Sequence, residues 1–283
     1  MTSDWPDFNE MWDLDDPAGT EVKFRAILSH AKASGETSYY LQLLTQIARS
    51  LGLQHKFDEA SILLDEVDEK SQGESLVMVR SLLERGRVLN TSGKPEQAVP
   101  LFMKAYHLAD QLGAEYYAAD ALHMLGIAYP ADELLDWNLK AIAYVEGSTQ
   151  ERARYWLGPL YNNMGWTYFE QGRLHQALEA FQKAQYFREQ QNNPRAIHIA
   201  RWCVARTLRE MGQVEAALEI QLGSEADGVE DGFVYEEIGE CLHVLGKTLD
   251  AKPYFQKAYR LLMEIEWVTK DTKRMERLRG LSA

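Results

Sequence analysis

The chain has 283 residues, 46% of them hydrophobic, with only 8 Pro and 19 Gly. That composition excludes wholesale disorder and a loop-rich β protein. Its formal net charge of −13 excludes a general nucleic-acid binder, because phosphate contacts need a clustered positive field. Two cysteines, Cys203 and Cys241, exclude a disulfide framework and point to a reducing compartment, with the cytoplasm as the expected location. No apolar run is long enough to cross a bilayer, and the first residues lack the basic-then-apolar pattern of a secretory signal. No membrane partner is expected.

In chain order, the first 20 residues hold six acids (Asp4, Asp7, Glu10, Asp13, Asp15, Asp16) and no Lys or Arg. Asp16-Pro17 reads as an N-cap followed by the first helical residue, and Gly35 as that helix's stop. Residues 1–35 are therefore expected to form an acidic leader and an N-terminal capping helix.

From there a pattern recurs. Met164-Gly165, Tyr168, Gly172, Ala177, Phe181 and Ala184 have counterparts in Ile238-Gly239, Leu242, Gly246, Ala251, Phe255 and Ala258. Gly86, Leu89, Gly93, Ala98, Phe102 and Ala105 fall in the same frame. Weaker copies place Ala48, Leu51, Ala60 and Val67 there, and likewise Ala205, Leu208, Gly212 and Ala217. Another has Leu125-Gly126, Tyr129 and then Ala141, after a turn about four residues shorter. The small residue falls at 48, 86, 126, 165, 205 and 239, at spacings of 38, 40, 39, 40 and 34. A Gly or Ala is needed where two helices approach too closely for a longer side chain. No helix pair can bury its apolar face alone, so neighbours must stack.

This pattern resembles the tetratricopeptide repeat, in its longer form. The resemblance implies an all-α, right-handed α-solenoid, with six repeats over residues 36–265 and a basic C-terminal cap or tail over 266–283. Phe24 and Ile27 then sit where a second repeat helix belongs, but Phe8 stands where its partner helix needs a small residue. Two expectations follow for the leader. Trp5, Phe8 and Trp12 cover the end of the core, or residues 1–14 form a mobile acidic-aromatic arm that docks in the protein's own groove or on a partner.

Further along, Ser148 and Glu151 read as a capping box ahead of the helix that carries Gly165. Pro130 is expected to end its helix early, which would bend the array, open a pocket near His123 and Trp137, or be no more than a tolerated turn variation. Pro194 marks a turn. The tail "KDTKRMERLRG" reads as the solvated outer face of a terminal cap.

No catalytic constellation is present: no His-Glu-x-x-His, phosphate loop or nucleophile elbow, and no two-His metal spacing within a helix. Neither metal nor cofactor is expected. The resemblance instead implies a groove lined by the first helix of each repeat. With the small residue as position 8, positions 2, 5, 9 and 12 face it. Positions 5, 9 and 12 form one helical stripe. That stripe holds Thr45 and Arg49; Leu83, Arg87 and Asn90; His123 and Ile127; Asn162, Trp166 and Phe169; Trp202, Arg206 and Arg209; Glu236, Glu240 and His243. Arg, Asn and Trp in such a stripe suit an extended peptide: forked donors for a carboxylate, paired donor and acceptor for the backbone, and large apolar area. Any one of these residues is equally suited to packing. The stripe has no Lys, so it departs from the clamp with which some tetratricopeptide domains hold a terminal carboxylate.

The leading expectation is a non-catalytic scaffold that binds an extended, acidic peptide segment of a partner protein. The alternative is a regulator that senses a peptide or small molecule and acts through an output partner. An enzyme on the same fold and self-association through a terminal repeat are further alternatives.

Overall fold

Every regular element in the computed structural model, which describes residues 5–71, 73, 75–130 and 133–282, is helical. Asp4 of the acidic leader, and residues 131–132 of the shortened turn, lie outside the described residues. The chain divides into two compact units, Met1–Trp156 and Leu157–Ala283. None of the described helices is long and apolar enough to cross a membrane.

In the first unit a single turn, α1 (Phe8–Met11), precedes the capping helix α2 (Pro17–Ala33). Three helix pairs follow: α3 (Thr37–Leu53) with α4 (Phe57–Lys70), α5 (Leu76–Thr91) with α6 (Pro95–Gln111), and α7 (Glu115–Ala128) with α8 (Leu134–Glu146). A 3-10 turn, Ala153–Trp156, closes the unit against α7. The second unit pairs α9 (Leu157–Glu170) with α10 (Leu174–Gln190), α11 (Pro194–Glu210) with α12 (Val214–Ala226), and α13 (Gly232–Val244) with α14 (Thr248–Leu262). A single turn, α15 (Glu266–Thr269), leads to α16 (Thr272–Ser282), which packs on α14.

Local chemistry sets several of these ends. Asp16 accepts the Gly19 amide at 2.8 Å with Pro17 at the first helical position, and Asn193 with Pro194 repeats the device at α11, accepting the Ala196 amide at 3.1 Å. The capping box expected at Ser148 does not form. Its hydroxyl bonds Glu115 and accepts the Gln150 amide at 3.1 Å, and the 3-10 turn separates it from α9. The hydroxyl oxygen is taken by the Gln150 amide and its proton by Glu115 of the neighbouring helix.

Each pair closes through one contact. A Cβ on Gly86, Gly165 or Gly239 would lie 2.3, 2.5 or 2.8 Å from a ring carbon of Phe102, Phe181 or Phe255 respectively. The ring always comes sixteen residues after the glycine. In the α7–α8 pair the connection is four residues shorter, and Asn138 takes the ring's place against Gly126, donating to the Gly126 and Leu134 carbonyls at 3.2 and 2.9 Å. The first and fifth pairs have Ala48 and Ala205 at the crossing, with Leu64 and Gln221 at the ring position. Leu64 is a buried core residue. Gln221 is also fully buried, and neither of its amide atoms has a hydrogen-bond partner.

Two stability changes follow. Gly165→Ala gains up to about 1 kcal/mol of helix propensity but drives a methyl into the enclosed Phe181 ring, which costs about 1–3 kcal/mol. A net fall in the urea midpoint is expected. Gln221→Leu, which restores the residue that accompanies Ala48, removes an unsatisfied buried amide worth about 1–3 kcal/mol. It should raise the urea midpoint at unchanged slope.

Candidate functional site

The first helix of each pair carries the polar, aromatic and charged side chains of interest, and the two units use them differently. In the first unit α3, α5 and α7 place two arginines over two buried carboxylates. Arg87 donates to Glu84 at 2.7 Å and bonds Asp120, while Arg49 lies 3.9 Å from Glu84. Burial opposes the charge on Arg87, yet Asp120 and Glu84 outweigh it and hold its pKa above the ordinary arginine value. Arg49 is pushed the other way, by burial and then by the Arg87 charge. Arg87 is thus committed to acids of the same chain, whereas Arg49 only approaches one of them.

The remaining stripe residues of this unit scatter. Thr45 and Leu83 are buried in the core, and Ile127 is exposed. The His123 ring packs on Trp156 at 4.9 Å. Pro130 follows the end of α7, as expected, and Trp137 stacks on Tyr129 at 5.0 Å. The cavity beside the proline, about 490 Å³, opens on Asn90, Val99, Ile127 and Tyr129.

In the second unit the stripe comes together. Trp166 on α9, Trp202 on α11 and Phe233 on α13 follow one another at ring separations of 5.8 and 5.8 Å, and Trp267 on α15 stacks on Phe233 at 5.7 Å. The Arg206 guanidinium sits among the first of these rings, 5.9 Å from Trp166, 5.7 Å from Phe169 and 5.3 Å from Trp202. Among the described residues it has no carboxylate partner, and its Nε is buried without a hydrogen bond. Asn162 turns away, its carbonyl accepting a long bond from the Cys203 thiol at 3.7 Å. Burial drives that thiol up to about 12, and the Cys241 thiol likewise.

Three glutamates of α13 are each bonded by an arginine. Glu237, 3% exposed, accepts both arms of Arg209, at 2.5 and 3.4 Å. Burial raises the carboxyl above its ordinary range, and Arg209 offsets this only in part. Glu236 is bonded by Arg274 at 3.0 Å and Glu240 by Arg277 at 2.8 Å, both from α16. The basic tail keeps a largely exposed outer face, as a terminal cap would, but two of its arginines also reach acids of the chain. Met275 and Leu278 insert into the core beside α14 and carry the neighbouring arginines round to the acids of α13. Between α11, α13 and α16 lies an open cavity of about 590 Å³, walled by Trp202, Arg206, Arg209, the three glutamates, Asp271, Lys273, Arg274 and Arg277. Each glutamate answers one arginine, and Asp271 caps α16 through the Arg274 amide at 3.1 Å. Arg206 is left over.

Several of these residues were within reach of the sequence. Position 2 of the repeat frame, which also faces the groove, holds Gln42, Arg80, Asp120 and Phe233. Glu84 and Glu237 stand at position 6, between two groove positions on the same helix face. Among the described residues no group of three or more His, Cys, Asp or Glu is placed to hold a metal.

The tetratricopeptide repeat family profile matches residues 159–190, which span α9 and α10. No curated protein matches the sequence. Among solved structures, the chain is similar to a signal-transduction ATPase with numerous domains, with a tetratricopeptide repeat sensor, from Pyrococcus horikoshii. The TM-score is 0.69 at 13% identity, over 95% of this chain and 44% of that one. It is similar to the apo form of RapI, with a TM-score of 0.68 at 12% identity over 91% and 76% of the two chains. NprR, solved in complex with its cognate peptide NprX, gives 0.57 at 16% identity over 95% and 82%. At such identities the likeness is one of fold.

The charge pairing of the first unit can be tested by contrast. Arg87→Met strands Asp120 without a bonded cation, leaves Glu84 only Arg49 at 3.9 Å, and should cost about 3–5 kcal/mol in urea unfolding. Arg85→Met, which removes an exposed pair with Asp65 and Asp68, should cost only about 0–1 kcal/mol.

Proposed function

Because the chain belongs to the tetratricopeptide-repeat superfamily, we propose that it is a non-catalytic interaction scaffold whose second unit binds an acidic peptide segment of a partner protein. The observation that carries this reading is that Arg206, among the described residues, forms no ion pair or hydrogen bond with a carboxylate, and Glu237 acts on it only at longer range. Its neighbours on the same face, Arg209, Arg274 and Arg277, each hold a glutamate of the chain, so they offer a ligand little net charge. Arg206 is held in place by Trp166, Phe169 and Trp202 and stands at the wall of an open cavity. Aromatic rings hold a guanidinium without neutralising it, so its donors stay available for a carboxylate. A peptide laid along this face would meet Trp202, Phe233 and the exposed Trp267 as apolar contacts. The cytoplasm suits a chain whose two thiols are both free and buried.

The same fold in NprR holds a cognate peptide, which accords with this reading. The cavity volume also lies within the range of small-molecule sites, roughly 300–1,000 Å³. That favours a second reading, in which a small anion on Arg206 signals to an output partner.

An array of twelve-residue acidic peptides, each beside its Asn/Gln counterpart, distinguishes these readings when probed with wild type and with Arg206→Gln. A desolvated, charge-assisted bond is worth about 1.5–3 kcal/mol, so the substitution should weaken acidic peptides about 10- to 150-fold. Equal binding of neutral and acidic peptides, or of both proteins, would falsify the peptide reading. Binding of small carboxylates alone would favour the second.

A further inference from the structure

The first unit carries a second binding face, and it is already covered. Residues 5–14 pack on α2, α3 and α5 by contacts that are largely aromatic, with Phe8 and Trp12 both meeting Phe24 of α2 edge-on at 6.1 and 5.4 Å. Trp5 and Phe8 stack on Tyr39 at 4.7 and 4.8 Å, and the Tyr39 hydroxyl donates to the Pro6 carbonyl at 3.2 Å. Trp12 donates to Gln46 at 2.9 Å, and its ring lies 5.4 Å from the Arg49 guanidinium. Phe8 covers Arg80 at 5.0 Å.

Arg80 is what this cover hides. It is 8% exposed, and among the described residues it has no carboxylate partner. One terminal nitrogen donates to the Tyr117 hydroxyl at 2.8 Å and to Gln42 at 3.3 Å, while Nε is buried with no partner. A buried guanidinium answered only by neutral groups is under-compensated. Arg49 beside it is poorly answered too, since Arg87 holds their shared carboxylate more closely. The cover also fits loosely. A cavity of about 180 Å³ remains, with Asn9 and Trp12 of the segment on one side and Gln46, Arg49, Arg80 and Glu84 on the other. That is room for several waters in a polar seam.

We infer that this face of α3 and α5 is a binding site for an acidic peptide bearing aromatic side chains, and that residues 5–14 are the built-in occupant such a peptide must displace. The segment itself shows the chemistry: Phe8 and Trp12, four residues apart, seat on the two guanidiniums in a stretch rich in Asp and Glu. An external ligand of this kind adds the carboxylate that Arg80 lacks. The cover lowers the apparent affinity by the fraction of molecules in which the face is open. This site is separate from Arg206 and does not rest on it.

The test uses a fluorescein-labelled synthetic peptide with the sequence of residues 5–16, titrated by anisotropy in the full chain. Arg206→Gln is the background throughout, so that the second unit does not contribute. Adding Phe8→Ala and Trp12→Ala should tighten binding at least tenfold, and adding Arg80→Gln should then abolish it. Trp12→Ala alone, which leaves Phe8 in the core, should tighten binding by a smaller factor and serves if the double change unfolds the chain. The inference is overturned if neither uncovered variant binds better than its background while both melt lower, which makes the segment a structural cap only. It is overturned equally if a peptide with every Asp and Glu changed to Asn and Gln binds as well as the acidic one.

Discussion

Three of the six helix pairs depend on a ring lying against a backbone that has no side chain at that point. Phe102, Phe181 and Phe255 occupy the volume that a Cβ on Gly86, Gly165 and Gly239 would need. Such a contact admits little rotation of one helix about its axis, because turning the glycine away brings a bulkier neighbour against the ring. Helix rotation in turn decides which residues leave the core. The groove-facing positions are therefore a consequence of the crossing contact, not a separate feature. Of the three pairs without the ring, the first keeps an apolar residue, Leu64, and the other two are polar: Asn138 satisfies backbone carbonyls, and Gln221 has no hydrogen-bond partner among the described residues.

A face fixed in this way must carry its charges close together, and adjacent first helices settle them by pairing across the helix boundary. Arg87 reaches Asp120 on the next first helix, Arg209 reaches Glu237, and Glu236 is met by Arg274. These pairs are partly or largely buried, so desolvation offsets much of their attraction, and their presence says little about stability gained. Their effect on recognition is clearer. A paired arginine presents a ligand with a dipole, whereas an unpaired one presents a full charge. Of the arginines on these inner faces, Arg80 and Arg206 are the two with no carboxylate partner among the described residues, and both are packed against aromatic rings.

The repeat frame was legible because it rests on residue size at fixed spacing, which a sequence displays directly. Facing was legible for the same reason: Trp166, Trp202, Arg206 and Arg209 do share one face of the second unit. Pairing was not. Whether Arg87 or Arg206 has a partner depends on a residue about 30 positions away and on the register between two helices, neither of which one helix's periodicity contains. The tail's ion pairs were hidden for a related reason. Met275 and Leu278 mark α16 as amphipathic, but nothing in their spacing says which side of α14 the neighbouring arginines will reach. The leader was legible as aromatic and acidic; Phe8 is a core residue with Trp5 and Trp12 packed beside it, and Trp12 also touches Gln46 and Arg49.

The C-terminal helix has a consequence for specificity that follows from charge alone. Without α16, the inner face of α13 would present Glu236, Glu240 and the Arg209-paired Glu237, a surface that repels acidic ligands. With it, Arg274 and Arg277 cancel Glu236 and Glu240, and Lys273 is added at the cavity wall. A cap needs only an apolar face toward the core and a polar face toward solvent. Here the residues beside the buried Met275 and Leu278 are arginines aimed at acids, and they convert a repulsive end of the face into one compatible with the free charge on Arg206. The sign of ligand charge that the second unit tolerates is thus set by its terminal helix as much as by the repeat residues that line it.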